Sequence, residues 1–300
     1  MDFKPNMEPK CATFILSLDV ANERKIRKQE TEKCVDFLLD VSAKYKIPAT
    51  WAFTGDFLLD LRYGQGSLQA KSRSNNLFYT NIYTYSGGNT LLFGENILRK
   101  IMSSKINHEI GYHSFSHPVF PQIEKQIADS EMKAGIDMAE HFGFVLKSFV
   151  FPQDKIGHVD VLRKYGLLVY RGETLMQSSL RSRSLSKVNG LINEIIAPPV
   201  MPKWKNGIWE IPSSLYFSDP KYPFSLLPRA RLGLWRAIRS NAVFHVWMHP
   251  WNLLEYESLS KDFERLIEYV YKKRNEGKIE TMTMGDFATS LNRACIEIGK

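Results

Sequence analysis

The sequence predicts an α/β protein, a distorted (β/α) barrel of about seven or eight units in which parallel strands are surrounded by helices. Two observations support this fold class. Short apolar runs of strand length alternate with amphipathic stretches of helical periodicity, and the strands are apolar at nearly every position, as in a sheet covered on both faces. An open doubly wound sheet is the alternative. No internal repeat or domain linker interrupts the pattern, so we predict one domain over residues 1–300, with a core from roughly 12 to 290.

The first third of the chain shows the alternation clearly. TFILSLDV (13–20) is rich in strand formers, and ETEKCVDFLLDVSAKY (30–45) has its apolar residues on or near one helical face. IPATWAFTG (47–55) is predicted to be the second strand. The polar stretch at roughly 63–90, rich in Gly, Ser and Asn, is predicted to be a long connection or insertion.

The rest of the chain repeats this pattern. A short helix near ENILRKIMSS (95–104) precedes the histidine-rich stretch HEIGYHSFSHP (108–118), and the helix QIEKQIADSEMKAGIDMAEHFG (122–143) is predicted to stop at Gly143. A long loop containing the basic segment RSRSLSK (181–187) separates the later units. The remaining predicted strands are KSFVFP, LLVYRG, GIWEIPSSLYF, AVFHVWMHP and IETMTM, and the remaining helices are GHVDVLRKYG, PRARLGLWRAIRSN, LSKDFERLIEYVYKKRNEG and GDFATSLNRAC.

Composition limits the function classes. An apolar content of 44% is enough for a large buried core. The net charge of +8 is compatible with an anionic partner such as nucleic acid, a phosphorylated sugar or a lipid headgroup, although a basic solvated surface is the simpler interpretation. No zinc-finger spacing, RNP-like motif or helix-turn-helix signal accompanies the charge, so we predict no nucleic-acid partner.

Cysteine usage and the first residues indicate the compartment. Cys11, Cys34 and Cys295 are odd in number and form no CxxC pair, which predicts reduced thiols in a cytosolic protein. The N-terminal residues contain no apolar run of the secretory type. No window reaches the ~18 apolar residues that a membrane span requires. We therefore expect a cytoplasmic location and no transmembrane segment.

Polar residues stand where the predicted strands end. In a parallel barrel these ends meet at one rim, where active sites form. Separate strands would thus deliver a carboxylate and three imidazoles to one place. The residues concerned are Asp19, His113, His117, Gln153, Asp154 and His249.

The pair His113 and His117 suggests a metal site. A four-residue spacing allows both rings to reach a single ion at about 2.0–2.1 Å, the usual zinc–imidazole distance. An isolated HxxxH is a weak signal, and two surface histidines are the alternative. Its place opposite Asp19 and His249 favours a divalent metal, with zinc the ion that best suits imidazole ligands and one carboxylate.

The other polar residues have two interpretations each. Asp19 is either a cap for the following helix or a metal ligand and general base. His249 is placed to act as an acid at the rim, whereas His245, four residues earlier on the same strand face, is predicted to be a satisfied core histidine. We treat His108, His141 and His158 as structural.

Five tryptophans lie near the predicted rim, namely Trp51, Trp204, Trp209, Trp247 and Trp251. Most are expected to belong to the core, although sugar rings also stack on such faces. Trp251, just after His249, is the candidate for a substrate contact.

Several of these stretches resemble the NodB-like polysaccharide deacetylases, carbohydrate esterase family 4. HEIGYHSFSH is similar to the family's H-[ST]-x-x-H metal motif, IPATWAFTG to its second strand, and HVWMHPWN to its late Leu-x-His motif. SFVFPQDKIGHVDVLRKYGLLVYRG resembles its third motif together with the following βα unit. The resemblance covers nearly the whole chain, roughly 12 to 290, with the correspondences in the right order.

The resemblance implies a distorted (β/α) barrel that hydrolyses an N- or O-acetyl group on a sugar with a divalent metal held by an Asp-His-His set. His113 and His117 match the two metal histidines, and His249 matches the catalytic acid. Asp19 matches the first aspartate of the Thr-Phe-Asp-Asp motif, which acts as the base.

Two departures from the family pattern stand out. Val20 occupies the position of the second aspartate, the third metal ligand, and Asn22 and Glu23 are the nearest substitutes. We therefore expect either that Asp19 binds the metal itself or that two histidines and water hold it. The arginine that tethers the base is absent from FVFPQD (149–154), which predicts a less depressed pKa for Asp19.

The sequence thus predicts a metal-dependent hydrolase that removes an acetyl group from a sugar or surface-polysaccharide precursor. A cytosolic enzyme would act on an unfinished sugar, for example a nucleotide-linked or lipid-linked one. The alternative is a catalytically impaired deacetylase-like protein that binds glycans, which the two departures favour and the retained acid and histidines oppose.

Overall fold

The computed structural model describes residue 9 and residues 11–21, 28–59, 93–173, 197–218, 226–254 and 257–298. Asn22, Glu23, the predicted connection at roughly 63–90 and RSRSLSK lie outside the described residues. The strands are β1 (Ala12–Val20), β2 (Thr50–Phe53), β3 (Glu109–Tyr112), β4 (Ser148–Val150), β5 (Val169–Gly172), β6 (Lys203–Lys205), β7 (Ile208–Pro212), β8 (Leu215–Tyr216), β9 (Val243–Met248) and β10 (Ile279–Met282). The α-helices are α1 (Lys28–Tyr45), α2 (Gly55–Leu58), α3 (Phe93–Met102), α4 (Lys125–Phe142), α5 (Val159–Lys164), α6 (Leu226–Ser240), α7 (Glu257–Asn275) and α8 (Met284–Ile298).

Parallel pairings connect the strands into a ring. β1 lies between β2 and β9, and the order continues from β2 through β3, β4 and β5 to β7. On the other side, β9 pairs with β8. Because only Ser213 and Ser214 separate β7 from β8, one bent segment completes the ring. The predicted distorted (β/α) barrel is therefore confirmed.

Two strands depart from a simple succession of βα units. β6 runs antiparallel to β7 and forms a hairpin whose turn holds Asn206 and Gly207 at positive φ. β10 pairs with the first half of β1, and β2 pairs with the second half. β1 has nine residues, so it is long enough to accept both partners along one edge. The stretch GIWEIPSSLYF, predicted as one strand, is divided into two. Its first part, β7, pairs with β5, and its second part, β8, pairs with β9.

Side chains of β1 alternate between the outside and the inside of the ring. Phe14, Leu16, Leu18 and Val20 belong to the large hydrophobic cluster that the surrounding helices complete. Ile15 belongs instead to a second cluster, which contains residues of five other strands and of α8. Ser17 and Asp19 continue the inward row towards the carboxyl end. The period of two residues thus fills the amino end of the ring with apolar groups and its carboxyl end with polar ones.

The helices cover the ring as the periodicity predicts. α4 buries its apolar positions and ends at Gly143, which takes the left-handed conformation (φ 80°) that the sequence signal indicated. α8 packs Met284, Phe287 and Leu291 into the second cluster. Among the helices described, none is both long and apolar enough to cross a membrane.

Candidate active site

An ion pair between Asp19 and Arg171 occupies the carboxyl end of the ring. Arg171 Nη1 and Nη2 donate to Asp19 Oδ1 and Oδ2, each at 2.7 Å, in a bidentate arrangement. The same guanidinium donates to Asp154 Oδ1 at 3.0 Å. The side chains of Arg171 and Asp19 are 1% and 2% exposed. Three strand ends therefore hold one shared network of charges away from water.

The expectation that the base lacks an arginine partner is wrong. The arginine is absent from FVFPQD at the end of β4, but Arg171 stands on the adjacent strand β5, in register with Val150. Its guanidinium reaches Asp19 from there. The sequence carried one signal for it, since Arg171 is the only charged residue in the apolar run LLVYRG. A lone charge in a buried strand requires a partner, so this run indicates a buried carboxylate near Arg171.

The pKa of Asp19 shows the consequence of this pairing. Burial alone would raise it, but the positive field of Arg171, with smaller contributions from His113 and His249, lowers it to about 2. The expected weaker depression of this pKa is therefore also wrong. Asp19 is ionised at neutral pH and fixed in orientation.

His113 and His117 present ring nitrogens to each other. His113 Nδ1 lies 2.8 Å from the main-chain oxygen of Val150, so Nδ1–H donates and Nε2 carries a lone pair. The Nε2 atoms of the two rings are 3.1 Å apart. Burial lowers the pKa of His113 to about 3 and also lowers that of His117. Both rings are thus neutral at pH 7, the form that binds metals.

The backbone around this pair is unusual. Ser114 and His117 have positive φ angles of 66° and 58°, and Gln153 and Asp154 at the end of β4 have 56° and 53°. Non-glycine residues rarely take this left-handed conformation, and it is concentrated at functional sites because the surrounding structure must hold it. The His117 N–H donates to Ser114 Oγ at 3.1 Å, which closes the short loop between the histidines.

His249 completes the rim from the end of β9. Its Nδ1 lies 3.1 Å from the main-chain oxygen of Asp19, and its ring stacks on Trp251 at 4.3 Å with an interplanar angle of 13°. Burial, which is the largest influence, lowers its pKa. His245 lies in the core, as expected, with Nε2 2.9 Å from Ser17 Oγ and Nδ1 3.2 Å from the oxygen of Pro212.

Aromatic rings line one side of the charged network. Trp247 lies on Arg171, whose guanidinium carbon is 4.2 Å from the ring centroid. Tyr216 stacks on Trp247 at 4.1 Å and remains 37% exposed. Of the five tryptophans, only Trp51 and Trp209 belong to the core, so the expectation that most of them would do so is wrong. Trp247 and Trp251 are half-buried beside the polar rim, and Trp204 is 38% exposed on β6.

The two histidines match part of a metal site. A tetrahedral ion with zinc–nitrogen bonds of 2.0–2.1 Å separates its ligand atoms by roughly 3.3 Å, close to the observed distance of 3.1 Å between the Nε2 atoms. Val20 is buried in the outer hydrophobic cluster and supplies no ligand. Within the described part of the chain, no three His, Cys, Asp or Glu side chains are grouped to hold an ion together. The pair therefore fits two positions of a divalent ion, and the metal-ligand role of Asp19 stays a prediction.

Comparisons with known proteins support the fold. No protein-family model and no curated protein sequence matches the chain. A solved structure from Mycobacterium smegmatis assigned as a polysaccharide deacetylase aligns with 96% of this chain and 92% of its own, with a TM-score of 0.60 and 13% identity. A second neighbour is a carbohydrate esterase family 4 pseudoenzyme from Bacillus anthracis, in a mutant form with restored enzymatic activity. It aligns with 93% of this chain and 68% of its own, with a TM-score of 0.52 and 13% identity.

A third neighbour has a different activity. The 4-alpha-glucanotransferase from Thermococcus litoralis aligns with 94% of this chain but 40% of its own, with a TM-score of 0.55 and 14% identity. Identities this low show the fold alone, and folds of this kind host more than one chemistry. The chain has the NodB-like fold of the carbohydrate esterase family 4 deacetylases.

Proposed function

We propose that this protein is a metal-dependent hydrolase that removes an N- or O-acetyl group from a sugar or surface-polysaccharide precursor. The observation that carries the proposal is the meeting of an ionised, arginine-fixed Asp19 with the neutral pair His113 and His117 at one end of the ring. A carboxylate and metal-binding imidazoles from separate strands form the donor set that metal-assisted acyl hydrolysis needs.

The residues have distinct roles in this proposal. His113 and His117 would hold the divalent ion, for which zinc is the best candidate, and the bound ion would polarise the acetyl carbonyl and activate water. Asp19 accepts a proton from the attacking water on a carboxylate oxygen. Arg171 keeps that carboxylate ionised and oriented.

His249 supplies a proton to the leaving group. Its Nδ1 faces the Asp19 carbonyl, so Nε2 is the nitrogen available to a substrate. To act as an acid, the ring must hold a second proton at Nε2. Because burial lowers the pKa of His249, that proton is rarely present at neutral pH but is readily given. Trp251, stacked on His249, is the proposed sugar contact.

The proposed substrate is an unfinished sugar in the cytoplasm, either nucleotide-linked or lipid-linked. This proposal rests on the free thiols of Cys11, Cys34 and Cys295, which favour a reducing compartment where finished polymer outside the cell is out of reach. The net charge of +8 is compatible with a phosphate-bearing substrate.

A glycan-binding protein without turnover is the second candidate. Val20 in place of a carboxylate favours it, since among the described residues only His113 and His117 bring ligand atoms together at the spacing of an ion. The family 4 pseudoenzyme among the structural neighbours illustrates that inactive proteins occur on this fold.

The first experiment measures metal per chain by elemental mass spectrometry on protein purified without chelator. About one divalent ion per chain is expected, lost in His117→Ala and retained in His141→Ala, which removes an exposed histidine of α4. Acetate release from acetylated oligosaccharides and nucleotide-linked N-acetyl sugars is then compared between the wild type and Asp19→Asn.

The outcomes separate the candidates. Acetate release that requires both the ion and Asp19 supports the hydrolase. Saccharide binding without acetate release, measured by calorimetry, supports the binding protein. No bound ion after reconstitution with zinc would contradict the metal-dependent proposal.

A further inference from the structure

A buried carboxylate on helix α4 holds the loop between the two histidines. Glu131 Oε2 accepts the main-chain N–H groups of Phe115 (2.7 Å) and Ser116 (3.0 Å), and Oε1 accepts the Ser116 hydroxyl at 2.6 Å. The Tyr112 hydroxyl donates to the main-chain oxygen of Glu131 at 2.7 Å. Glu131 is 3% exposed, so these bonds take the place of its hydration.

The loop needs such a support. His113 is anchored directly by its bond to Val150, whereas within the described part of the chain the His117 ring has no comparable bond besides its 3.1 Å approach to His113. Ser114 and His117 are both in the left-handed conformation, which each residue would leave if the loop were free. The bonds to Glu131 fix the two residues immediately before His117.

We propose that Glu131 is a positioning residue that sets His117 beside His113 and thereby determines how tightly the pair holds a divalent ion. This inference rests on the metal-dependent function proposed above. Glu131 does not face the ion; it acts through the backbone of Phe115 and Ser116. Partners of metal ligands commonly change metal affinity by about 10- to 100-fold when they are removed.

Glu109 offers a matched control at the opposite end of the ring. Its carboxylate also accepts a hydroxyl, from Thr50 at 2.7 Å, and a main-chain N–H, from Gly285 at 2.9 Å. Burial raises the pKa of both glutamates. Glu109→Gln therefore removes a half-buried carboxylate that accepts the same kinds of hydrogen bond, without touching the loop between the histidines.

The test compares zinc affinity and thermal stability of Glu131→Gln and Glu109→Gln by calorimetry and unfolding. Glutamine offers one neutral acceptor oxygen in place of two carboxylate oxygens, so the bonds to Phe115 and Ser116 weaken, and Glu131→Gln is expected to lose about tenfold or more in zinc affinity, while Glu109→Gln keeps wild-type affinity. Equal losses in both variants, or no loss in Glu131→Gln, would overturn the proposal.

Hydrogen exchange separates this inference from the proposed function. If the wild type binds no zinc, the metal-dependent function fails, but exchange at residues 112–117 still reports on the loop. Faster exchange there in Glu131→Gln, and not in Glu109→Gln, supports the positioning role. Unchanged exchange would contradict it.

A second and independent observation concerns the outer face of helix α6. Arg231, Leu232, Trp235 and Arg239 are exposed along one stripe, with the Arg239 guanidinium 5.0 Å from the centroid of the Trp235 ring. The opposite face buries Ala230, Leu234 and Ala237 against the barrel. The exposed fractions of Leu232 and Trp235 are 38% and 47%.

The charge of this helix indicates the kind of partner. LLPRARLGLWRAIRS contains four arginines and no acidic residue. On the neighbouring α7, Glu264 and Glu268 pair with Lys44 and Lys272. A second copy docking symmetrically through this face would bring two such cationic helices together, which is unfavourable. An anionic surface that also accepts apolar side chains suits both the arginines and the exposed Leu232 and Trp235.

We infer that the outer face of α6 binds an anionic lipid surface. Interfacial helices place Trp and Leu at the headgroup boundary and Arg against lipid phosphates, and the exposed stripe of α6 offers the same side chains. Such binding would hold the protein at a membrane without any segment crossing it. This inference does not depend on the proposed reaction.

Vesicle co-sedimentation tests it. The full chain is expected to bind phosphatidylglycerol vesicles, to lose binding in high salt, and not to bind phosphatidylcholine vesicles. Trp235→Ala and Arg231→Gln should each reduce binding several-fold. Trp204→Ala is the matched control, because Trp204 is 38% exposed between exposed Lys203 and Lys205 on β6. Absence of binding, equal loss in Trp204→Ala, or preference for DNA over vesicles would overturn the inference.

Discussion

The carboxylate side and the histidine side of the site are held in different ways. Asp19 and Asp154 are fixed by direct bonds to Arg171, and all three side chains are buried. His117 sits on a left-handed loop residue and is positioned through backbone contacts of its neighbours. On the carboxylate side, the charged groups hold one another through direct hydrogen bonds. The histidine side is a strained loop that depends on support from another element.

This difference predicts where mutations cost stability and where they cost function. Removing Arg171 from the charge network leaves two buried carboxylates without their cation. Removing the strain in the histidine loop should leave the fold intact and affect only what the two rings hold. The following predictions test the contrast, from the largest expected effect to the smallest.

The largest effect is expected for Arg171→Leu. It leaves Asp19 and Asp154 as two neighbouring buried carboxylates without a cation, and the loss of such a partner typically costs about 3–5 kcal/mol of unfolding free energy. Urea denaturation of the wild type and the variant measures it. Arg171→Lys should lose less, because lysine keeps the charge but not the two-pronged contact. A cost below about 1 kcal/mol would show that the network does not stabilise the fold.

The second effect is a loss of stability in acid that depends on Asp19. The pKa of Asp19 is lowered to about 2 in the folded protein from an ordinary value of 3.8. Folding therefore favours the ionised form of Asp19. Its contribution to the free energy of unfolding is complete above about pH 4 and is lost as the pH falls towards 2. The contribution amounts to roughly 2 kcal/mol. Denaturation curves at pH 5 and pH 2.5 should show a smaller pH dependence for Asp19→Asn than for the wild type.

How much of this contrast the sequence predicts depends on the kind of contact. Asp19, His113, His117 and His249 could be placed at one rim because the carboxyl ends of parallel strands meet there, whatever the details of register. Arg171 was missed because its role depends on the pairing of β5 with β4, which a sequence without register does not show.

Glu131 was missed for a different reason. A glutamate in a helix is expected to face water, and the only local sign against this is its spacing, three residues after Ala128 and four before Gly135 on the buried face of α4. Its burial arises only when α4 packs beside the loop after β3. The bend between β7 and β8 is also a long-range property, because β7 pairs with β5 and β8 pairs with β9.

The third prediction separates strain from function on the histidine side. His117→Asn keeps a residue that tolerates positive φ but removes the imidazole. We expect the unfolding free energy to stay the same or to rise by up to about 1 kcal/mol, while zinc affinity is lost. Calorimetry and urea denaturation on the same protein measure both quantities. A variant that loses stability in parallel with zinc affinity would show that the His117 ring has a structural role.

The smallest effect is expected at Trp251, which lies outside both networks. Its ring stacks on His249 and is only partly buried, so Trp251→Ala should change the unfolding free energy little. If a sugar ring packs against its other face, the loss of that contact should weaken saccharide binding by about 2- to 12-fold, the equivalent of 0.5–1.5 kcal/mol. Trp204→Ala is the control, because it removes an exposed tryptophan on β6, away from His249. Titration calorimetry with an acetylated oligosaccharide measures the affinity of the wild type and of both variants. Equal affinities for wild type and Trp251→Ala would remove Trp251 from the proposed substrate site. A matching fall in both variants would instead place the saccharide on a diffuse aromatic surface and not beside His249.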